Sequence, residues 1–249
     1  MPEEIAGRVW ELMAAFAGYG FPKAHAASYA QLAWRAAWCK VHYPAVFMAA
    51  VLANWGGYYP QRVYLTEARR MGLSVHPPDV NFAQRQFSTL YLPGEPQAQP
   101  ALFMGLDQVR ELTRRTQKRI LQARPFHTID DFLARVDPRP IEAENLAKAG
   151  ALEAFGTIPA LLRRLERGGW QGGQLTLFPF EDQASQELSI SERAALQETV
   201  LGTSVVAHPL ELVAAQIASS GALTTVEAAA RLGQRLRQGG SGGGQRGSW

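Results

Sequence analysis

Two groups of side chains in this sequence are placed to do chemistry, and both suit phosphate. Lys23 and His25 follow directly on Gly18-Tyr19-Gly20-Phe21-Pro22. The glycines and proline break one helical pattern, and Pro22, with its fixed φ and missing N–H, fits the first turn of a new one. That puts a Lys and a His in a first helical turn, where the macrodipole prefers anions, with their donors able to meet a ligand. A tight interhelical turn with a solvated Lys explains the same residues. The second group is Arg110, Arg114, Arg115, Lys118 and Arg119. At about 100° per residue these cations share one half of a helix running from Val109 to Arg124, opposite Val109, Leu112, Thr116, Ile120 and Ala123. Only Glu111 interrupts the positive charge. Solvated helix faces usually mix signs, so an arc this uniform favours a surface that follows phosphates.

Covalent and metal chemistry have little to work with. Two-metal nucleotidyl transfer needs clustered carboxylates. There is no Asp before Asp79, and the six aspartates (79, 107, 130, 131, 137 and 182) form no D-x-D pair. His76 has no second His or Cys at ligand spacing, so no metal site is expected. Cys39, the single cysteine, excludes an internal disulfide and reads as a small buried hydrophobe. Neither a nucleophile–base arrangement nor a phosphate-binding glycine loop of the nucleotide-binding kinds is present. With 25 Lys and Arg against 22 Asp and Glu, the chain is mildly basic at +3, which is compatible with nucleic acid. No apolar run reaches the ~18 residues of a membrane span, and the acidic start Met1-Pro2-Glu3-Glu4 is not a signal peptide. A cytoplasmic protein without a membrane partner follows by elimination.

The elements that must position these groups are mainly α-helical. Residues 3–17 place Ile5, Val9, Leu12, Met13 and Phe16 on one face. Lys23 to His42 is apolar nearly all round, as in a helix buried between others. Pro44 opens a third helix to about Asn54, and Gln61 to Met71 forms a fourth, stopped by Gly72. Leu73 to Pro78 is extended, and Gln86–Leu92 with Ala101–Met104 make a small β-hairpin. Helices are expected at Phe126–Val136, Ile141–Leu152 and Ser191–Gly202, and Leu161–Glu166 ends the compact part. Thr225 to Arg237 is helix-like, and the Gly/Ser-rich end is a disordered tail by composition.

The run Gly18-Tyr19-Gly20-Phe21-Pro22-Lys23-Ala24-His25-Ala26-Ala27-Ser28-Tyr29-Ala30, with His42-Tyr43-Pro44-Ala45-Val46-Phe47-Met48, resembles the fingers-region signature of bacterial DNA polymerase III alpha subunits, the family C polymerases. The resemblance continues through Glu67–Leu73, Pro77-Pro78-Asp79-Val80-Asn81 and His208-Pro209-Leu210, covering about residues 5–212. Pro22 stands where the replicative form usually has Asn, as in the error-prone paralogue, and Ala24 and Val46 replace Ser and Glu. The resemblance implies a multi-helix fingers region, a small β-hairpin and tandem helix-hairpin-helix units that grip DNA backbone. It places Lys23 and His25 near the incoming nucleotide or primer-template phosphates, and Lys148, beside Gly150, at a DNA-binding hairpin. The first hairpin departs from the pattern: Glu111 and Thr113 occupy glycine positions. A Glu beside a phosphate is repulsive, which shifts the expected contact to the basic helix that follows.

After Gly168-Gly169-Trp170-Gln171-Gly172-Gly173 comes Gln174-Leu175-Thr176-Leu177-Phe178. Apolar residues in a Gly-rich linker need a reason. They could fold back onto the core, but the segment resembles the sliding-clamp-binding pentapeptide of bacterial polymerases and sits where the alpha subunit carries one. Gln174, Leu175, Leu177 and Phe178 are its expected clamp contacts. The expected division is 1–56 fingers helices, 57–166 fingers continuation with β-hairpin and helix-hairpin-helix region, 167–190 linker with clamp motif, 191–220 a helical element before a missing oligonucleotide-binding domain, and 221–249 tail. The catalytic aspartates and the Mg²⁺ of the intact enzyme would belong to a palm N-terminal to residue 1. That leaves this chain without catalytic residues or a cofactor of its own, partnered by a palm-containing part, primer-template DNA and the clamp. A free-standing adaptor between DNA and clamp, or a helical scaffold without a nucleic-acid role, are the alternatives.

Overall fold

Eleven helices and one three-stranded sheet make up the described residues of the computed structural model, which are 2–17, 22–55, 57–91, 100–168, 187–223 and 227. Helix α1 (Glu3–Ala17) carries Glu3 and Glu4 in its first turn. Ile5, Val9, Leu12 and Met13, the expected core stripe, are all exposed. Helix α2 (Lys23–His42) also buries none of its residues, and Trp34 and Trp38 are 67% and 42% exposed. Its apolar composition pointed to burial on several sides. It packs on α3 (Pro44–Ala53), and Lys40 near its end pairs at 2.7 Å with Glu67 of α4 (Gln61–Arg70). No element among the described residues covers the remainder, so Cys39 is exposed too.

Pro44 sits at the start of α3, which buries Ala45, Met48, Ala49 and Leu52. Gly72, at φ +80°, ends α4 in the left-handed conformation that glycine adopts without penalty. The expected hairpin forms as β2 (Ser88–Leu90) antiparallel to β3 (Ala101–Phe103), with Thr89 opposite Leu102. The extended stretch after Gly72 adds a third strand, β1 (Val75–His76), parallel to β3 on its other side. Strand β3 is therefore central, and all three of its residues are buried.

The Pro-Pro-Asp-Val-Asn stretch locks this layer to the helices beyond it. Asp79 accepts from the N–H groups of Asn81 (2.7 Å) and Phe82 (3.1 Å), an Asx-type turn. Asn81 then exchanges two hydrogen bonds with the backbone of Phe126, at 3.0 and 2.8 Å. Arg124 donates to the carbonyls of Val80 and Ala83.

Helices α5 (Arg114–Ala123), α6 (Ile129–Val136), α7 (Pro140–Ala149), α8 (Ile158–Glu166) and α9 (Ile190–Leu201) surround a core of Leu106, Ile120, Phe132, Leu133, Leu146, Leu152 and Leu161. Asp130 of α6 takes Arg164 of α8 in an ion pair at 2.6 Å, with both side chains largely buried. Ser189 and Glu192 form a capping box at the start of α9, and Gly202 ends it at φ +72°. Gln197 fastens α9: its amide donates to the Ala149 carbonyl at 3.1 Å and accepts from the N–H groups of Val205 and Val206 at 2.8 and 3.2 Å. Two short helices, α10 (Pro209–Leu212) and α11 (Ala214–Ser219), follow, α10 capped by His208. Apart from Glu227, which is helical, the expected helix from Thr225 to Arg237 lies outside the described residues, as do the tail and the linker 169–186.

Candidate nucleic-acid interface

The basic stretch is a hairpin followed by a helix rather than one continuous helix. A 3₁₀ turn at Leu106–Gln108 leads through Val109 and Arg110 to Glu111, at φ +63°. A left-handed Glu cannot continue a helix. Thr113 then serves as the N-cap of α5, its hydroxyl accepting from the Thr116 N–H at 3.4 Å. The 3.6-residue period that ran through Val109 and Leu112 was a burial pattern and not a helical one. Both side chains are buried, at 3% and 7% exposed, along with Thr116 and Ile120. Glu111 thus takes the left-handed backbone geometry that glycine adopts without penalty.

A second hairpin joins α7 to α8. Gly150 at φ +91° and Gly156 at φ +148° turn the chain, and a Cβ on Gly150 would stand 3.0 Å from Glu153 Oε1. Thr157 caps α8 as Thr113 caps α5. The start of α8 opens on a cleft of about 310 Å³ whose walls include Gly156, Thr157, Leu188 and Arg193, and Arg193 is paired with Glu153 at 2.5 Å.

Glu142 of α7 holds the two units together. Only 1% exposed, it accepts at Oε1 from the Thr113 N–H (2.9 Å) and hydroxyl (2.7 Å), and at Oε2 from the Thr116 hydroxyl (2.9 Å) and the Arg139 N–H (2.9 Å). Burial alone would raise the pKa of its carboxyl. The four donors outweigh burial and hold it down, at about 2. Around the same hairpin Arg139 donates to the Glu111 carbonyl at 3.0 Å, Asn145 to the Arg110 carbonyl at 2.8 Å, and the Arg110 N–H to the Val200 carbonyl of α9 at 2.9 Å. None of Glu142, Arg139 or Asn145 stood out in the sequence. A capping-box pattern begins with Ser or Thr, and here the capped residue is Arg139, which hid the signal.

Arg110, Arg114, Arg115 and Lys118 are exposed around the hairpin and the first turns of α5. Arg119 is half-buried and 3.4 Å from Asp137, and Lys148 is held by Glu144 at 2.6 Å. The structure therefore gathers four of the six expected basic contacts as open cations and commits two to ion pairs. Lys23 and His25 occupy the first turn of α2 as expected, with Pro22 just outside the helix as its extended N-cap, and the His25 ring lies 4.2 Å from that of Tyr29. Their helix packs on α3, apart from the α5–α6 pairing. Gln174, Leu175, Leu177 and Phe178 fall outside the described residues. Among the described residues no three His, Cys, Asp or Glu side chains come together to hold a metal ion. No helix among the described residues is long and apolar enough to cross a membrane.

Residues 72–160 match the model of the helix-hairpin-helix motif, the span that holds both hairpins. The chain is similar to the DNA polymerase III subunit alpha of Campylobacter jejuni, 32% identical over an alignment 236 positions long, gaps included, that covers 84% of this chain and 19% of that protein. It is similar to the DNA polymerase III subunit alpha of Thermus aquaticus, 38% identical over an alignment 175 positions long, gaps included, that covers 67% of this chain and 14% of the relative. It is also similar to the error-prone DNA polymerase of Alkalilimnicola ehrlichii, 32% identical over an alignment 265 positions long, gaps included, that covers 97% of this chain and 25% of the relative. The chain thus spans 14% to 25% of the length of these relatives. With a mainly helical fold, a small sheet and a helix-hairpin-helix region inside the matched span, the chain belongs to the family of bacterial DNA polymerase III alpha subunits and error-prone DNA polymerases.

Proposed function

We propose that this chain is a DNA- and clamp-holding part of a polymerase, acting in the cytoplasm on primer-template DNA without sequence preference and working beside a separate palm-containing part. The observation that carries the reading is the hairpin at Glu111, braced from below by Glu142 and ringed by Arg110, Arg114, Arg115 and Lys118. Rigid backbone with exposed cations suits phosphates, which position a duplex without reading its bases. The reading assigns the four open cations to phosphate contact and gives Arg119 and Lys148 a smaller share, because each already has a carboxylate. Gln174, Leu175, Leu177 and Phe178 then attach the same chain to a sliding clamp, in replication or in translesion synthesis.

The test is DNA binding by fluorescence anisotropy across a salt series. With about four phosphate contacts, log K should fall against log[salt] with a slope near −3 to −4. Arg114→Glu with Lys118→Glu should weaken binding and flatten the slope. Unchanged affinity in the double variant would make the face a solvated one and return the chain to a helical scaffold. The chain alone should not extend a primer, and Mg²⁺-dependent nucleotide incorporation by pure protein would overturn the division of labour proposed here.

A further inference from the structure

The turn between α3 and α4 carries Tyr58, 94% exposed, and Tyr59, 57% exposed. These rings are held in place. Tyr58 and Tyr59 meet edge to face with centroids 5.4 Å apart, and Tyr59 meets Tyr64 of α4 in the same manner at 6.3 Å. The Tyr59 N–H donates to the Tyr64 hydroxyl at 3.3 Å. Gly57 leaves room for that hydroxyl, since a Cβ there would stand 3.0 Å from it. Pro60, at φ −57°, fixes the chain as it enters α4. Three rings therefore meet in succession from the turn into α4, with the outermost almost wholly in water.

The location says what would cover them. Gln61 in the first turn of α4 donates to Gln108 Oε1 at 2.7 Å, and Gln108 belongs to the 3₁₀ turn that feeds the basic hairpin. Arg62 and Arg110 follow these two glutamines by one and two positions, and both are exposed. Exposed aromatic rings beside cations are what an unpaired nucleotide strand binds: ring faces take the bases and guanidinium groups take the phosphates. Paired bases inside a duplex offer no such face.

We propose that Tyr58 and Tyr59 form a stacking platform for unpaired bases of the strand that runs off the duplex held at the Glu111 hairpin. This rests on the DNA-binding reading above and adds the single-stranded ligand and the residues that meet it.

The experiment uses the full chain with two DNA probes, a blunt duplex and the same duplex carrying a single-stranded overhang with 2-aminopurine at its first unpaired position. The overhang should raise affinity and change the 2-aminopurine emission on binding. Tyr58→Ala with Tyr59→Ala should lower affinity for the overhang probe by about 5- to 100-fold, abolish the emission change, and leave blunt-duplex affinity and Tm unaltered. Tyr58→Phe with Tyr59→Phe should retain both, since the ring and not the hydroxyl stacks. If the unaltered chain binds blunt duplex but gains nothing from the overhang, or if the alanine pair weakens both probes equally, the platform is wrong and the DNA-binding reading stands. If the unaltered chain binds neither probe, both fall.

Discussion

Glu142 and Thr113, 29 positions apart, are joined twice: one carboxylate oxygen accepts both the backbone N–H of Thr113, at 2.9 Å, and its hydroxyl, at 2.7 Å. The same side chain accepts from Arg139 at the start of α7, so one buried charge sets the start of two helices. Its carboxyl is depressed from 4.5 to about 2, so its stabilisation is complete above pH 4.5 and is lost as pH falls toward 2. At neutral pH that shift is worth about 3 kcal/mol. Glu142→Gln should lose about 2–4 kcal/mol at pH 7 and much less near pH 2. Glu67 and Glu192 are lowered as well and also contribute an acid slope. The check is therefore the difference between wild-type and variant urea melts across pH, and a difference that stays constant with pH would remove Glu142 from this role.

Glu111 pays for a glycine's backbone geometry without being one. A left-handed non-glycine residue costs about 1 kcal/mol, so Glu111→Gly should raise stability by a few tenths to 1 kcal/mol. It should also tighten DNA binding several-fold at low salt, because a carboxylate leaves the neighbourhood of phosphates. Glu111→Gln separates the two effects: affinity should rise without the gain in stability. Urea melts and anisotropy read them independently, and a Glu111→Gly chain that binds no better would place this residue away from DNA.

Lys23 should act only in a complete enzyme. In a complex reconstituted with a palm-containing part, Lys23→Ala should slow nucleotide incorporation, since the residue is expected near phosphates and is exposed in this chain. Primer-extension kinetics measure this. Rates equal to those of the unaltered complex return Lys23 to an ordinary solvated helix start.

Leu177→Ala with Phe178→Ala should abolish clamp binding. Burying two such side chains gives about 3–6 kcal/mol gross, and a micromolar Kd is the ceiling for so short a motif. That affinity suffices when DNA held by the same chain raises the effective concentration. Surface plasmon resonance on immobilised clamp measures the loss, and the melting temperature should stay put. A double variant that melts several degrees lower and still binds would assign these residues to the core.

Much of this was legible because local chemistry decided it. Pro44 at a helix start and Gly72 and Gly202 as left-handed stops act over a few residues, whereas the Ser189–Glu192 box opens α9 just ahead of the start expected at Ser191. The basic face was legible as charge. What escaped were decisions made across the fold. The start of α5 at Arg114 depends on Glu111 being held left-handed by partners on α7 and α9. The strand Val75–His76 is two residues long and exists because β3 lies beside it. The apolar composition of α2 announced burial, yet among the described residues it packs on α3, with the Lys40–Glu67 pair near its end, and buries none of its own residues.

The bond from the Arg110 N–H to the Val200 carbonyl has a companion in Arg69, which reaches the carbonyls of Ser204 and Val205 some 135 positions later. Both tie earlier segments to α9 and the residues just after it. Contacts of such sequence separation form late and slow a folding reaction. During synthesis, the hairpin that is to meet DNA therefore lacks one of its braces until α9 has left the ribosome. The hairpin should mature only as α9 docks.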